Sequence, residues 1–190
     1  MADLKQFADA AVMGRFQPFH NEHLKYLLAA KERCHHLWVG ITRFLPSTSN
    51  QGGVHRGLQA ENPLTYFERV VLIRQALQAA GLSRKEFCCI PFPIDEPTLL
   101  PHCLSPEIPC LTTLCEPWNE QKMRLLEDYG YQVDVLYHNE ERRVTGQQIR
   151  DAIRDGDRWE HLVPKPVARL LNEWSLGKRL QQLEGGPQSR

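Results

Sequence analysis

A chain of 190 residues is long enough for one domain with a real core and short for two typical ones. Lysine plus arginine equals aspartate plus glutamate at 23 each, so the formal net charge is zero. That balance disfavours a general nucleic-acid binder and leaves room for a local basic pocket. No apolar run is long enough to span a bilayer. The opening Met1-Ala2-Asp3-Leu4-Lys5 lacks a signal-peptide pattern. The six cysteines include no Cys-x-x-Cys pair and make no disulfide framework. The expectation is a reduced, cytoplasmic protein.

Apolar segments alternate with helical patterns, which predicts a parallel α/β sheet. Residues 10–13 predict the first strand, 21–33 a helix and 37–42 the second strand. Residues 43–61 are polar and glycine-containing, a loop long enough to suggest function. Residues 65–80 predict a helix, opened by a Thr65–Glu68 capping box and stopped by Gly81. Residues 87–91 predict the third strand, with Cys88 and Cys89 expected as buried apolar residues. The proline-rich stretch 91–109 is expected to be irregular, followed by a fourth strand at 111–114. A helix over 116–129, ended by Gly130, leads to a fifth strand at 131–137. Short helices follow over 146–154, 167–174 and 176–183, with 185–190 a disordered tail. The expected fold class is α/β: a Rossmann-like parallel five-stranded sheet flanked by helices, with C-terminal helices. It would form a single domain over 1–184. A ligand of such a sheet sits beyond the carboxyl ends of the strands, at the switch in strand order. Cys103, Cys110 and Cys115, with His102 or His138, fit no common zinc spacing.

Three segments carry chemistry. The first is Gly14-Arg15-Phe16-Gln17-Pro18-Phe19-His20-Asn21-Glu22-His23, directly after the first strand. His20 and His23 stand at i and i+3, on one face of the first helical turn. That turn also offers unpaired N–H groups and the positive end of the helix dipole, a compact site for a polyphosphate. The second is Arg143-Val144-Thr145-Gly146-Gln147-Gln148-Ile149-Arg150. Thr145 and Gln148 predict a capping box, and a glycine-containing helix start beside Arg150 suits an anion. The third is Asn62-Pro63-Leu64-Thr65-Tyr66-Phe67-Glu68-Arg69-Val70.

In this order, spanning most of the chain, the three segments resemble the nucleotidylyltransferase superfamily with its His-x-Gly-His signature. They are most similar to nicotinamide mononucleotide (NMN) adenylyltransferases of the archaeal type. The resemblance implies transfer of a nucleoside monophosphate from a triphosphate, ATP first, to a small phosphorylated acceptor such as NMN, a step of NAD biosynthesis. Pyrophosphate leaves. A CTP-dependent cytidylyltransferase and a catalytically inactive nucleotide-binding sensor are the alternatives. By the same resemblance His20, His23 and Arg150 are catalytic. Gly14, Arg15, Phe16, Thr145, Gly146, Gln147 and Ile149 meet the nucleotide. Magnesium is implied, carried by phosphate oxygens and water rather than by protein ligands. The partners are the triphosphate and the acceptor, with no nucleic acid and no membrane; a homo-oligomer is compatible with these features.

Two positions depart from the family pattern. Glu22 stands where the family has glycine, adding bulk and negative charge beside the proposed phosphates. Archaeal-type NMN enzymes carry an Asn-x-x-Trp element after the third strand, and residues 95–102 contain no tryptophan. Trp118, Asn119 and Arg56 are the candidates for meeting the acceptor.

Overall fold

The structure is a computed structural model that describes residues 5–45, 61–114, 117–138 and 144–184. They fall into two compact units, Met1–Arg15, Lys25–Phe44 and Gly81–Arg143 in the first, Phe16–Leu24, Leu45–Ala80 and Val144–Arg190 in the second. The expected tail at 185–190 and loop residues 46–60 lie outside the described residues.

The first unit holds a five-stranded sheet: β1 (Phe7–Gly14), β2 (Cys34–Ile41), β3 (Phe87–Pro91), β4 (Cys110–Leu114) and β5 (Val133–His138). All neighbours run parallel, in the order β3-β2-β1-β4-β5. The chain builds outward from β1 to β3 and then returns to the other side of β1, so the switch in strand order falls between β1 and β4. This is the α/β, Rossmann-like sheet that the alternation of elements predicts. Ala10, Ala11 and Val12 of the central strand are wholly buried, which is why β1 reads as a continuous apolar run rather than as an alternation. Helix α1 (Asn21–Arg33) leads into β2 without a turn residue between them. A second hydrophobic layer gathers Met13, Phe92, Leu100, Leu104, Leu126 and Tyr131.

Several boundaries differ from expectation. β1 begins at Phe7 rather than Ala10, and β2 at Cys34 rather than Leu37, because polar His35 and His36 hide the start of a strand that is already paired. The 91–109 stretch is partly helical: a 3-10 turn spans Pro97–Leu99 and α3 spans Leu100–Cys103. The Tyr131 hydroxyl donates to the Leu104 carbonyl at 2.7 Å and ties that stretch to the core. Cys88 is exposed and Cys89 only partly buried, which corrects the reading of both as core residues. Among the described residues β3 is an edge strand, with β2 on one flank and no strand on the other. Helix α4 (Pro117–Asp128) links β4 to β5. Among the described residues no helix is long and apolar enough to cross a membrane.

The second unit is helical. It contains α2 (Tyr66–Ala79), α5 (Gly146–Asp155), α6 (Lys165–Glu173) and α7 (Leu176–Glu184), with a 3-10 turn at Glu160–Leu162. Helix α2 packs on α6, and α5 on α7. Leu72, Ile73, Ala76 and Leu77 of α2 are buried, as are Val167, Leu170 and Leu171 of α6. Each set recurs at three- and four-residue spacing, one face of a helix.

Gly40 of β2 lies close against the Phe92 ring. A methyl group there would lie 2.7 Å from Cδ2 of Phe92, a fully buried ring. The ring is packed on all sides and has to shift to admit it. Gly40→Ala should therefore cost about 1–3 kcal/mol of stability, read as a lowered denaturant midpoint. An unchanged midpoint would show that the ring moves aside without penalty.

Candidate active site

β1 ends at Gly14, whose carbonyl accepts from Thr42 N–H at 3.0 Å. Gly14 and Arg15 end the first segment of the first unit; Phe16, which follows, begins the first segment of the second. Phe16 takes φ of +54°, the left-handed region that a bulky residue adopts only at some cost. Its ring is wholly buried and meets the His23 ring edge-on, centroids 4.9 Å apart at 73°. Phe19 lies 5.7 Å from the same histidine, tilted by 35°. The Gln17–Pro18 peptide is cis.

His20 is the N-cap of α1, its carbonyl accepting the first helical bond from Leu24 N–H at 3.0 Å. The backbone N–H of His23 donates to Nδ1 of His20 at 3.4 Å, and the backbone N–H of His20 donates to Nδ1 of His23 at 3.3 Å. The rings stack, with centroids 3.6 Å apart and planes within 23°. His20 is 4 % exposed. Glu22 occupies the second helical position between them, where the dipole favours an acid. Asn21 is tied to the 160–162 turn by a bond from Nδ2 to the His161 carbonyl at 2.9 Å.

Gln17 joins three segments of the second unit. Its side-chain amide donates to the Leu64 carbonyl at 2.8 Å, and its Oε1 accepts from Leu64 N–H at 3.0 Å. The carboxamide thus satisfies both backbone groups of one buried residue, as a neighbouring strand would. The Gln17 main-chain carbonyl accepts from Nη1 of Arg150 at 2.6 Å. Arg150 is itself buried, and its Nη2 donates to Oε1 of Gln147. A methyl on Gly146 would sit 2.6 Å from the same Gln17 carbonyl, so the start of α5 comes this close only because residue 146 has no side chain.

Both predicted capping boxes form. Thr145 Oγ1 accepts from Gln148 N–H at 3.2 Å and Gln148 Oε1 accepts from Thr145 N–H at 2.9 Å. Thr65 and Glu68 do the same at 3.2 and 2.8 Å. Glu68 also takes a bidentate bond from Arg179 of α7, both contacts at 2.8 Å, and Arg179 reaches the Pro63 carbonyl at 3.0 Å. Burial pushes the Glu68 carboxyl up, but bonds from Arg179 and from Thr65 outweigh it and hold it below the usual carboxylate range.

The second unit thus brings together Phe16, His20 and His23 at one helix start, and Thr145, Gly146, Gln147, Ile149 and Arg150 at another, with Gln17 bonded to the latter. Phe16 and Ile149 are wholly buried. Trp118 and Asn119 open α4, and their side chains lie outside the described residues, as does Arg56. Three residues with supporting contacts are given no role by the sequence. Gln17 and Arg179 join segments far apart in the chain; Arg69, 1 % exposed, donates from Nε to the Thr65 carbonyl at 3.4 Å.

Gln17→Met keeps the volume and removes both bonds to Leu64. Two buried backbone groups are then left unmatched, at about 1–3 kcal/mol each. The melting temperature should fall by several degrees, with protection of the Leu64 amide lost in hydrogen exchange. Retained protection at Leu64 would mean another group satisfies it.

The cytidylyltransferase-like family model matches residues 11–152, from β1 into α5. A phosphonoformate cytidylyltransferase of Streptomyces viridochromogenes is 36% identical over 180 residues, covering 93% of this chain and 98% of that protein. A nicotinamide-nucleotide adenylyltransferase of Saccharolobus solfataricus is 29% identical over 173 residues, covering 90% and 94%. A bifunctional NMN adenylyltransferase/ADP ribose pyrophosphatase from Francisella tularensis matches 93% of this chain with a TM-score of 0.70 at 16% identity. The chain spans 52% of that bifunctional protein, and the likeness is one of fold. The matched family segment includes both histidines and the start of α5. The chain belongs to the cytidylyltransferase-like family, and its class of activity is nucleotidylyl transfer.

Proposed function

We propose that this protein moves a nucleoside monophosphate from CTP to a small acceptor carrying a phosphonate or phosphate group, releasing pyrophosphate. The observation that carries the choice of donor is the 36% identity to a phosphonoformate cytidylyltransferase across nearly the whole of both chains. It reverses the order of donors that the motifs alone suggest. The 95–102 stretch agrees with it: a 3-10 turn and one helical turn stand where an NMN enzyme would place a stacking tryptophan. The second reading, ATP to NMN, is favoured by archaeal nicotinamide-nucleotide adenylyltransferases that match at 27–29%.

The chemistry asks for positioning and charge neutralisation. An acceptor oxygen, already ionised near neutral pH, attacks the α-phosphorus; a new P–O bond forms as the bond to the β-phosphate oxygen breaks. No strong base is required, and donors on the phosphates are. His20 and His23 are the proposed donors to the triphosphate, at a helix start whose dipole attracts anions. The capped start of α5, with Gly146 and Gln147, is the proposed contact for the departing phosphates. Arg150 adds a fixed positive charge there while holding the Gln17 carbonyl. Among the described residues no group of three or more His, Cys, Asp or Glu is placed to hold a metal. A hard divalent cation such as magnesium fits this site through triphosphate oxygens and water, where it would neutralise polyphosphate charge.

Pyrophosphate release should be measured with CTP or ATP, each paired with phosphonoformate or NMN. The proposal expects turnover with CTP and the phosphonate; turnover only with ATP and NMN selects the second reading. Nucleotide binding without pyrophosphate in any pairing contradicts both. His20→Ala and His23→Ala should each lose at least about two powers of ten in turnover, roughly 3 kcal/mol of transition-state stabilisation.

Arg150→Lys should recover only part of the activity lost in Arg150→Ala. An ammonium is a point charge and cannot hold the Gln17 carbonyl and the Gln147 side chain with one planar fork. Parent-level activity of the lysine variant would remove this role.

A further inference from the structure

We propose that His20 and His23 form a capping box made of two imidazoles, which fixes both rings as Nε2–H tautomers and makes each histidine a positioning residue for the other. The proposal rests on the reading of the pair as phosphate donors and specifies how they donate.

The geometry is that of the two threonine boxes in the same unit. In each, the N-cap side chain accepts from the N3 backbone amide and the N3 side chain accepts from the N-cap backbone amide. In α1 the N-cap is His20, N3 is His23, and both acceptors are ring nitrogens, Nδ1 in each case. A ring nitrogen that accepts from an N–H carries no proton, so a neutral ring held this way has its proton on Nε2. The donor nitrogen of each ring is therefore Nε2, the atom proposed to meet phosphate. The bonds are reciprocal: each ring fixes the main chain from which the other springs. Stacking at 3.6 Å sets the rings nearly parallel, and the edge-on contact from Phe16 holds the plane of His23. Two long polar side chains at a helix start would ordinarily sample several rotamers; here neither rotates without breaking a cap.

Two measurements test this, one of them independent of turnover. In ¹⁵N-histidine-labelled protein without nucleotide, at about pH 8 and so above the ordinary histidine value of ~6.5, two-bond ¹H–¹⁵N spectra should show both rings as Nε2–H. An Nδ1–H or imidazolium form of either ring overturns the proposal, even if His20→Ala is inactive. The second measurement separates capping from donation. His20→Asn keeps an acceptor at the cap and loses the donor at Nε2. Its melting temperature should match the parent, with turnover as low as in His20→Ala. His20→Gln keeps a donor at the outer position and loses the cap. It should melt about 2–4 °C lower and retain more turnover than His20→Ala. Equal destabilisation of the asparagine and alanine variants also overturns the cap. Normal turnover in all three variants, with both rings of the parent protein Nε2–H, leaves the cap standing and removes the donor role instead.

Discussion

The junction at Gln17 is the constraint on which the second unit's arrangement depends. One residue supplies a donor and an acceptor from its side chain to Leu64 and a carbonyl from its main chain to Arg150. All three bonds are buried, where a group left unmatched costs more than a formed bond contributes. Displacing the loop that carries His20 would therefore leave buried backbone groups unmatched. Gly146 makes the same point by exclusion, because any side chain there would displace the carbonyl that Arg150 holds. The Glu68–Arg179 pair extends the brace to α7. With side chains 17% and 32% exposed and a bidentate geometry, it outweighs the half-exposed Arg169–Glu173 pair, whose i,i+4 contact contributes only a few tenths of a kcal/mol.

Three helix starts in this unit use one device at the same spacing. At Thr65 and Thr145 it satisfies two backbone amides. At His20 the same two positions carry imidazoles, so a local stability element holds the two rings proposed to donate to phosphate. That economy explains how two adjacent rings stay ordered on the first turn of a helix, where backbone bonds are fewest.

Much of this was legible in the chain because it is local. Strands at 10–13, 37–42 and 87–91 show as apolar runs, and the threonine boxes show as polar pairs three residues apart. What was not legible spans long separations. Gln17 and Leu64 are 47 positions apart, Glu68 and Arg179 are 111, and no period links them. Cys88 was misread because an apolar run does not reveal whether its strand lies at the centre or the edge of a sheet. Arg150 is legible in the sequence as a charge near the proposed anion site, but not as a guanidinium bonded to a main-chain carbonyl. The tautomers of the histidines depend on which ring nitrogen faces which amide, and only coordinates supply that.

The edge position of β3 has a consequence for how this sheet meets other molecules. Phe92 N–H donates inward to the Ile41 carbonyl at 3.0 Å, so the preceding residue turns its nitrogen outward. That residue is Pro91, which has no hydrogen to offer. An incoming strand from another chain would find five residues of template, ending in a position that cannot pair. Resistance to edge-to-edge aggregation along this flank thus rests in part on a single pyrrolidine ring.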